Sequence, residues 1–273
     1  GSFTNVTKQA GLTHQGHGLS ATWWDCDNDQ LPDLYVSNDF DDPDQLYRNN
    51  GDGTFTDISE ESGVASKAGY GMGIVSSDID NDGDPDVLVG NDTGANFVLL
   101  NDGTGRFEEA GLRFGFAYDG VGAMQGTMGV DCGDFDNDGQ FDIHVTSYQY
   151  ESATLYKNVG GFLEDVTARC GAGADTVTQV TWGNGLVDLD NDGDRDMFIA
   201  CGHLHDQVDK FNDDTAYRAA NKVFENLGNG RFVDVSADGG EGLKVKLSSR
   251  GAAFDDLDND GDLDVGVLNS RSK

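Results

Sequence analysis

The sequence predicts an all-β protein, a β-propeller of about five four-stranded blades, and three observations lead to this fold class. An acidic phrase of the form DLDNDGDRD occurs five times, and a strand–turn–strand phrase separates successive copies. Among 273 residues there are 39 Gly and only 3 Pro, which favours many short strands joined by tight turns over a helical protein. A repeat unit of about 55 residues is typical of a propeller or a related repeat fold.

The acidic phrase is the clearest element of the repeat, and its five copies are called loops 1 to 5. Successive copies start 53, 56, 54 and 68 residues apart, so the spacing is regular except before the last copy. The loops occupy residues 25–33, 78–86, 134–142, 188–196 and 256–264. This spacing indicates that each loop belongs to one structural unit.

Each unit contains four predicted strands, which is the content of one propeller blade. A small, Gly-rich segment such as GMGIVSS (71–77) precedes the loop, and an alternating segment such as DVLVGN (86–91) follows it. A hairpin phrase such as LYRNNGDGTFTDIS (46–59) supplies the last two strands. Each acidic loop is therefore predicted to join the first strand of its blade to the second.

The two ends of the chain are predicted to complete one blade. The segment FTNVTKQAG (3–11) matches the outer-strand phrase but has no acidic loop before it, whereas loop 5 and its strand have no such phrase after them. We predict that the N-terminal strand completes the fifth blade and protects two exposed sheet edges. On this prediction, residues 1–273 form a single β-propeller domain.

The charge of the chain excludes several classes of partner. Against 50 Asp and Glu stand only 17 Lys and Arg, giving a formal net charge of -33. Such a chain repels nucleic-acid backbones and anionic membrane surfaces, and its natural counter-charge is a cation. No apolar run approaches the roughly 18 residues of a membrane span. We expect a monomer that neither binds nucleic acid nor inserts into membranes.

The spacing of the aspartates predicts calcium sites in all five loops. Asp recurs at positions 1, 3, 5 and 9, Gly at position 6 of four loops permits a sharp turn, and the carbonyl group of position 7 can point inward. Ca²⁺ accepts about six to eight oxygen ligands in flexible geometry, so we expect four to five bound ions. The predicted ligands are Asp25, Asp27, Asp29, Leu31 and Asp33 in loop 1; Asp78, Asp80, Asp82, Asp84 and Asp86 in loop 2; Asp134, Asp136, Asp138, Gln140 and Asp142 in loop 3; Asp188, Asp190, Asp192, Asp194 and Asp196 in loop 4; and Asp256, Asp258, Asp260, Asp262 and Asp264 in loop 5.

Two other interpretations of the loops are weaker. An EF-hand needs a bidentate Glu at position 12, where this chain has strand residues instead. Simple solvated turns would hold carboxylates close together without a cation, which is costly. Asn at position 4 of every loop is predicted to adopt left-handed backbone geometry. The residues at position 12 are Val36, Val89, Val145, Ile199 and Val267.

The unit resembles the FG-GAP or VCBS repeat, the calcium-binding blade also found in integrin α-subunit heads. Residues 183–236 and 249–270 further resemble the secreted ASPIC/UnbV-associated repeat proteins, relatives of cartilage acidic protein. The resemblance implies that the loop aspartates are metal ligands and that the protein is extracellular, either secreted or at the cell surface. Loop 1 departs from the pattern, with Gln30 where Gly is expected. In that family, more blades and a C-terminal domain often accompany this region.

Candidate binding residues outside the loops concentrate in an insertion, residues 201–221, that lengthens the fourth unit. Insertions in a repeat array often lie on the binding face. His203 and His205 could bind a transition metal or only make local hydrogen bonds, and the same alternatives apply to His14 and His17.

Bulky residues before the loops, and two cysteines, give further hypotheses. The sixth residue before each loop either lines the mouth of the channel or fills the core. One of Trp23 and Trp24 is expected to pack between blades, and Cys170 and Cys201 could form a disulfide. The residues in the sixth position are Leu19, Met72, Met128, Trp182 and Arg250.

No residue is predicted to be catalytic. The sequence contains no G-x-S-x-G elbow, P-loop or H-E-x-x-H motif, and every recurring carboxylate already has a predicted metal to bind. We expect a recognition or adhesion module for a protein or glycan, stabilised by Ca²⁺. The alternatives are a propeller enzyme acting on polysaccharide, whose carboxylate pair would be hidden among the acids, and a structural scaffold for a missing C-terminal domain.

Overall fold

The computed structural model describes residues 2–40 and 42–271, and within them the strands form five antiparallel sheets. Four sheets have four strands and the fifth has two, with strands adjacent in chain order. The chain divides into two compact units, residues 1–117 and 118–273. The predicted all-β class and the predicted four-stranded repeat unit are confirmed, while the prediction of one domain over 1–273 stays a prediction.

The first unit contains two four-stranded sheets. Their first strands, β1 and β5, lie side by side. The strands are β1 (Gly18–Trp24), β2 (Asp33–Asn38), β3 (Gln45–Asn49) and β4 (Phe55–Asp57) in sheet 1, and β5 (Gly71–Ser77), β6 (Asp86–Asn91), β7 (Phe97–Asn101) and β8 (Phe107–Glu109) in sheet 2. A core including Tyr35, Leu46, Val87 and Leu99 fills the space between the two sheets.

The second unit contains two four-stranded sheets and the two-stranded one. The first strand of sheet 4 lies beside the first strands of sheets 3 and 5. The strands are β9 (Val130–Gly133), β10 (Asp142–Val145), β11 (Thr154–Asn158) and β12 (Leu163–Asp165) in sheet 3, β13 (Thr181–Val187), β14 (Asp196–Cys201), β15 (Lys222–Asn226) and β16 (Phe232–Asp234) in sheet 4, and β17 (Ser249–Asp255) and β18 (Asp264–Asn269) in sheet 5.

The second strands form the interior of the sheets. Every residue of β6, β10 and β14 is buried, which explains why apolar residues predominate in these strands after the initial Asp. The preceding first strands are crowded by their neighbours, which explains their small, Gly-rich sequences. A Cβ atom at Gly185 in β13 would overlap the ring of Phe254 in β17, so a larger residue would force that ring to move.

Short helices, which the sequence analysis did not predict, follow the fourth strands. Each has one turn and ends at a glycine with positive φ, which closes the turn without steric strain. One turn is too short to produce a helical period in the sequence. The α-helices are α1 (Ser59–Ser62), α2 (Gly111–Phe114) and α3 (Thr167–Cys170), and the 3₁₀ turns are Val64–Ser66, Val208–Lys210 and Gly242–Lys244. No helix in the described ranges is long and apolar enough to span a membrane.

The N-terminal strand that was predicted to complete the fifth blade is not formed in the described residues. No strand precedes β1 in the described chain, and residues 7–11 form a turn that packs on sheet 1, where the backbone N–H of Phe55 donates to the carbonyl of Ala10 at 2.8 Å. Within residues 2–40 and 42–271, sheet 5 contains only β17 and β18. The physical reason is the order of strands, since a fourth strand pairs only with a third, and sheet 5 has no third strand to receive one.

The core of the second unit contains Cys170 and Cys201 together with Leu155, Met197 and Phe224. The two thiols are free, so the hypothetical disulfide between them is not formed. Burial raises the pKa of the Cys201 thiol to about 12, so that it is a neutral side chain packed among apolar residues.

Candidate metal centres

Each acidic loop joins the first and second strands of its sheet, as predicted, and the Asp at position 1 fixes its turn. In loop 4, Asp188 Oδ1 accepts a hydrogen bond from the backbone N–H of Asp192 at 3.1 Å, and Asp188 Oδ2 accepts one from Gly193 at 3.0 Å. The same two bonds occur in all five loops. The carboxylate at position 1 therefore accepts both backbone hydrogen bonds that close the turn, which explains why this residue is always Asp.

The Asp at position 9 ties the loop to the sheet. Asp196 Oδ2 accepts from the backbone N–H of Leu189 at 3.0 Å, and its Oδ1 accepts from that of Asn226 in β15 at 2.8 Å. Loops 1 to 3 repeat both bonds. In loop 5, Asp264 makes the first bond, with Leu257, but sheet 5 has no third strand that could supply the second.

The folded loops bring carboxylates together in five clusters that can hold a metal ion. In each cluster, one oxygen atom from each of three aspartates lies within 4.8 Å of the others. Positions 1 and 3 belong to every cluster, joined by position 5 in loops 1 and 5 and by position 9 in loops 2 to 4. The clusters are Asp25, Asp27 and Asp29; Asp78, Asp80 and Asp86; Asp134, Asp136 and Asp142; Asp188, Asp190 and Asp196; and Asp256, Asp258 and Asp260. The remaining predicted ligands lie in the same loops and stay predictions.

The electrostatics of the clusters favour a cation. Burial, with a smaller contribution from neighbouring carboxylates, raises the pKa of Asp86 and of Asp142 to about 7. The same two causes raise the pKa of Asp80 and Asp196 above the ordinary range. Carboxylates that are buried close to like charges are unfavourable when ionised, and a bound cation would reverse this effect.

Asn at position 4 has two functions in the loop. All five of these residues have φ between 57° and 61°, which confirms the predicted left-handed conformation. In three loops the side-chain amide also donates to the Asp at position 7 of the next loop, which the sequence analysis missed. The three pairs are Asn28 with Asp84, Asn137 with Asp194, and Asn191 with Asp262.

A second asparagine, at the end of the third strand, also escaped the sequence analysis. The amide of Asn226 donates to the carbonyl oxygen of Arg195 in loop 4 at 3.1 Å and to that of Phe135 in loop 3 at 2.7 Å. Asn101 makes the corresponding bonds to Pro85 and Cys26. The recurrence of Asn before each hairpin turn was the signal that could have identified this role.

Loops 1 and 3 depart from the common pattern. In loop 1, Gln30 occupies the position of the loop glycine with φ of 70°, yet its N–H still donates to Asp25 at 2.7 Å. In loop 3, the ammonium group of Lys157 in β11 forms ion pairs with Asp136 and, at 3.0 Å, with Asp138. Loop 3 therefore has an internal counter-charge at two of its predicted ligands.

The histidines of the insertion make local hydrogen bonds. His203 is almost wholly buried, and its Nδ1 accepts from the backbone N–H of His205 at 2.9 Å. The Nδ1 atom of His205 accepts from Gln207 at 3.2 Å. Burial lowers the pKa of His203, and the described chain has no cluster of metal-ligand type that includes either histidine. These bonds favour local hydrogen bonding over transition-metal binding as the role of His203 and His205.

The bulky residues before the loops have different surroundings. Leu19 is exposed, whereas the Arg250 guanidinium stacks on the ring of Trp182 with 4.1 Å between the guanidinium carbon and the ring centroid. Arg250 also donates to backbone carbonyls, including that of Gly202 at 3.2 Å. Trp24 packs against the core of the first unit, as expected for one of the two tryptophans, and Trp23 is 54% exposed.

Comparison with known proteins gives one repeat family and one group of relatives. The sequence pattern of the FG-GAP-like repeat matches residues 25–89, 78–145 and 188–267. Cartilage acidic protein 1 of Xenopus tropicalis is 27% identical over 211 residues, covering 73% of this chain and 31% of the relative. The Homo sapiens protein is 25% identical over 207 residues, which cover 74% of this chain and 31% of that protein. The chain thus spans about a third of the length of these relatives, and the resemblance predicted from sequence is confirmed.

A solved structure of an Agrocybe aegerita lectin, which recognises non-reducing terminal N-acetylglucosamine, is also similar to this chain. The two are 18% identical, the match covers 90% of this chain and 56% of that chain, and the TM-score is 0.43.

Proposed function

Since the chain belongs to the FG-GAP-like repeat family, we propose that it is a calcium-stabilised β-propeller domain, acting outside the cell as a recognition or adhesion module for a protein or glycan. The observation that supports calcium most strongly is the repetition of one carboxylate cluster, with the same hydrogen bonds, in all five loops. Carboxylate oxygens are the ligands that Ca²⁺ prefers, and their number and crowding suit it better than Mg²⁺.

The proposed ligands in each loop are the carboxylates at positions 1, 3, 5 and 9 and the main-chain carbonyl at position 7. In three loops the side chain at position 7 is bonded to the Asn of the preceding loop. In loop 1, position 7 is Leu31, which offers only its carbonyl oxygen. Both observations support a main-chain ligand at this position. Four to five ions would bind per chain.

The proposed role of the ions is structural. Each ion would cross-link the first two strands of its sheet and reduce the repulsion within a chain of net charge -33. Extracellular calcium modules bind with dissociation constants of about 10⁻⁴ to 10⁻³ M, a range that suits a protein working in calcium-rich fluid. An extracellular location is part of this proposal.

Recognition is assigned to the parts of the repeat that differ between units. The insertion, residues 201–221, and the connections between second and third strands carry exposed aromatic side chains, including Phe40, Tyr150 and Phe211. Repeat proteins commonly bind ligands through such non-repeating connections on a regular scaffold. The regular loops would then hold the scaffold rigid.

Calcium titration of chelator-stripped protein, with the bound ions counted by native mass spectrometry, tests the metal part of the proposal. We expect four or five ions, weaker binding of Mg²⁺, and loss of one ion in Asp190→Asn. Asp238→Asn, which removes the same charge from an exposed site outside the loops, is the control and should keep all ions. Equal ion counts for both variants would contradict the assignment.

The recognition part needs a separate experiment. Labelled protein is applied to arrays of glycans and of extracellular proteins, once in millimolar calcium and once in chelator. The proposal predicts binding that depends on calcium because the scaffold does. If the protein binds no array component in either condition, the recognition function is contradicted, whatever the ion count shows.

A further inference from the structure

Tyr150, in the connection between β10 and β11, has an unusual backbone conformation for an exposed aromatic residue. Its side chain is 60% exposed and its φ is 71°, in the left-handed region that bulky residues rarely adopt. The conformation is held by a hydrogen bond from its backbone N–H to the carbonyl of Val177 at 2.6 Å. Strained backbone of this kind persists where the surrounding structure fixes it, and it concentrates at ligand sites.

The insertion fixes the orientation of this ring. The Tyr150 hydroxyl donates to Asp214 Oδ2 at 3.1 Å, and the amide of Asn212 lies 3.3 Å from the same hydroxyl oxygen and donates to it. Asn212 also donates to Gln149 Oε1 at 3.3 Å. A ring anchored through its hydroxyl loses little further freedom when a ligand stacks on it, which favours binding.

Tyr150 lines a cavity of about 220 Å³. Three carboxylates line it, those of Asp119, Glu151 and Asp165, together with Gln125 and Met124, and none of the Lys and Arg residues that the structure describes lines it. These carboxylates do not form one of the metal-type clusters of the described chain. Backbone N–H groups hold all three in place: Ala123 donates to Asp119 at 2.7 Å, Gly126 donates to Glu151 at 2.7 Å, and Gly120 donates to Asp165 at 2.9 Å.

This combination selects a class of ligand by its chemistry. Carboxylates accept hydrogen bonds from hydroxyl groups, and an aromatic face packs against the C–H face of a sugar ring. An anionic sugar would meet three carboxylates without a compensating cation and would be repelled. Pockets that bind small ligands combine apolar and aromatic walls with a small number of placed polar groups, and Tyr150, Met124 and the carboxylates supply both here.

We infer that the Tyr150 surface, defined by Tyr150, Met124, Gln125, Glu151 and Asp119, is a subsite for one neutral sugar ring of a glycan. The inference rests on the proposed recognition function and narrows it to uncharged carbohydrate. The sugar ring stacks on Tyr150, and its hydroxyl groups donate to the carboxylates of the cavity. Binding leaves the glycan intact.

The variant Tyr150→Gly tests the subsite without endangering the fold. Glycine removes the ring and adopts the positive φ without strain, so the melting temperature should stay the same or rise. The control is Phe162→Ala, which removes an aromatic side chain that is 51% exposed in the turn between β11 and β12. The probes are immobilised neutral oligosaccharides of glucose, galactose, mannose and N-acetylglucosamine, with sulfated and uronic-acid chains as the anionic comparison, followed by calorimetry on the strongest binder.

We expect the protein to bind a neutral oligosaccharide, Tyr150→Gly to weaken that affinity by at least about tenfold, and Phe162→Ala to leave it unchanged. Undiminished binding by Tyr150→Gly, preference for anionic chains, or release of new reducing ends would each overturn the inference. Absence of binding to every array sugar would also overturn it. In that case the sugar subsite is excluded, and the proposed function is tested separately by the calcium titration and by binding to the array of extracellular proteins.

Discussion

The side-chain amide of Asn137 in loop 3 donates a hydrogen bond to Oδ1 of Asp194 in loop 4 at 2.7 Å. Because Asn137 lies next to Asp136 and Asp194 follows Asp192, the bond connects two neighbouring candidate metal centres directly. Asn191 makes the same bond to Asp262 at 2.7 Å, so loops 3, 4 and 5 form a continuous chain. The geometry of one loop is thereby coupled to that of the next.

Asn137→Gly should uncouple loops 3 and 4. Glycine keeps the positive φ of 57° at no steric cost but removes the amide. The loss in free energy of unfolding therefore measures what the side-chain hydrogen bond contributes. We expect about 1 kcal/mol lower free energy of unfolding in calcium, as for one partly exposed hydrogen bond to a carboxylate. Asn259→Gly makes the same backbone change in loop 5, and its effect on urea unfolding provides the baseline. Equal effects of both variants would show that the bond contributes nothing.

Lys157 should compete with calcium in loop 3, because its ammonium group pairs with Asp136 and Asp138. The corresponding residue of β7 is Leu100, so Lys157→Leu introduces the residue type that sheet 2 has at this position. We expect tighter calcium binding at one site by calorimetry, and lower stability in chelator, where the loop loses its counter-charge. Lys244→Leu removes the same charge at an exposed site away from the loops, and the account fails if the two variants bind calcium alike.

Gln30→Gly should stabilise loop 1. Gln30 has φ of 70°, where a side chain costs about 1 kcal/mol, while the other four loops have Gly at this position. The higher free energy of unfolding should be measurable by urea unfolding with calcium present. The reciprocal change, Gly193→Gln in loop 4, should lose a similar amount because Gly193 has φ of 95°. A neutral outcome for both changes would mean that the loops do not require this conformation.

Asp44 should make stability fall as the pH rises. Its carboxyl group is buried, accepts from the Tyr35 hydroxyl at 2.6 Å and from the backbone N–H of Asn38 at 2.8 Å, and burial raises its pKa to about 6. Because this pKa exceeds the unfolded value of about 3.9, the folded state holds the proton longer. The stabilisation that the protonated Asp44 carboxyl group gives the folded state is complete below about pH 4 and is lost as the pH rises through 6.

Asp44→Asn removes this titration and keeps the acceptor. Sheet 2 has Asn96 at the corresponding place, where its Oδ1 accepts from the N–H of Asn91 at 2.9 Å. Between pH 4.5 and 7, the variant should lose about 2 kcal/mol less stability than the unmodified protein, measured by urea unfolding at constant calcium. Parallel pH profiles would show that Asp44 has an ordinary pKa in the folded chain.

Features that repeat along the chain could be predicted from the sequence, and features that depend on a single spatial neighbour could not. The aspartates and the strands after them have fixed spacing, so loops and strands such as Asp86–Asn91 were placed to the residue. The bond from Asn137 to Asp194 joins residues 57 positions apart and leaves no local signal. The N-terminal segment was predicted to be a strand because its sequence resembles a fourth strand, but residues 7–11 form a turn, since a local sequence pattern does not supply the partner strand that pairing needs.

The Tyr150 surface was missed for a related reason. The chain connections that form it contain no repeated motif, and the positive φ of Tyr150 is set by the hydrogen bond to Val177 rather than by the residue type. Aromatic residues carry no preference for this conformation, so nothing in the sequence marks the position.

Thermal unfolding in excess chelator, in millimolar Ca²⁺ and in millimolar Mg²⁺, with ions counted on the dialysed protein, tests the central claim most directly. The account predicts a large rise in melting temperature that is specific for calcium, accompanied by four to five bound ions per chain, because ligands that bind only the folded state stabilise it. An unchanged melting temperature in calcium together with no retained ion would contradict the claim that the acidic loops are metal centres.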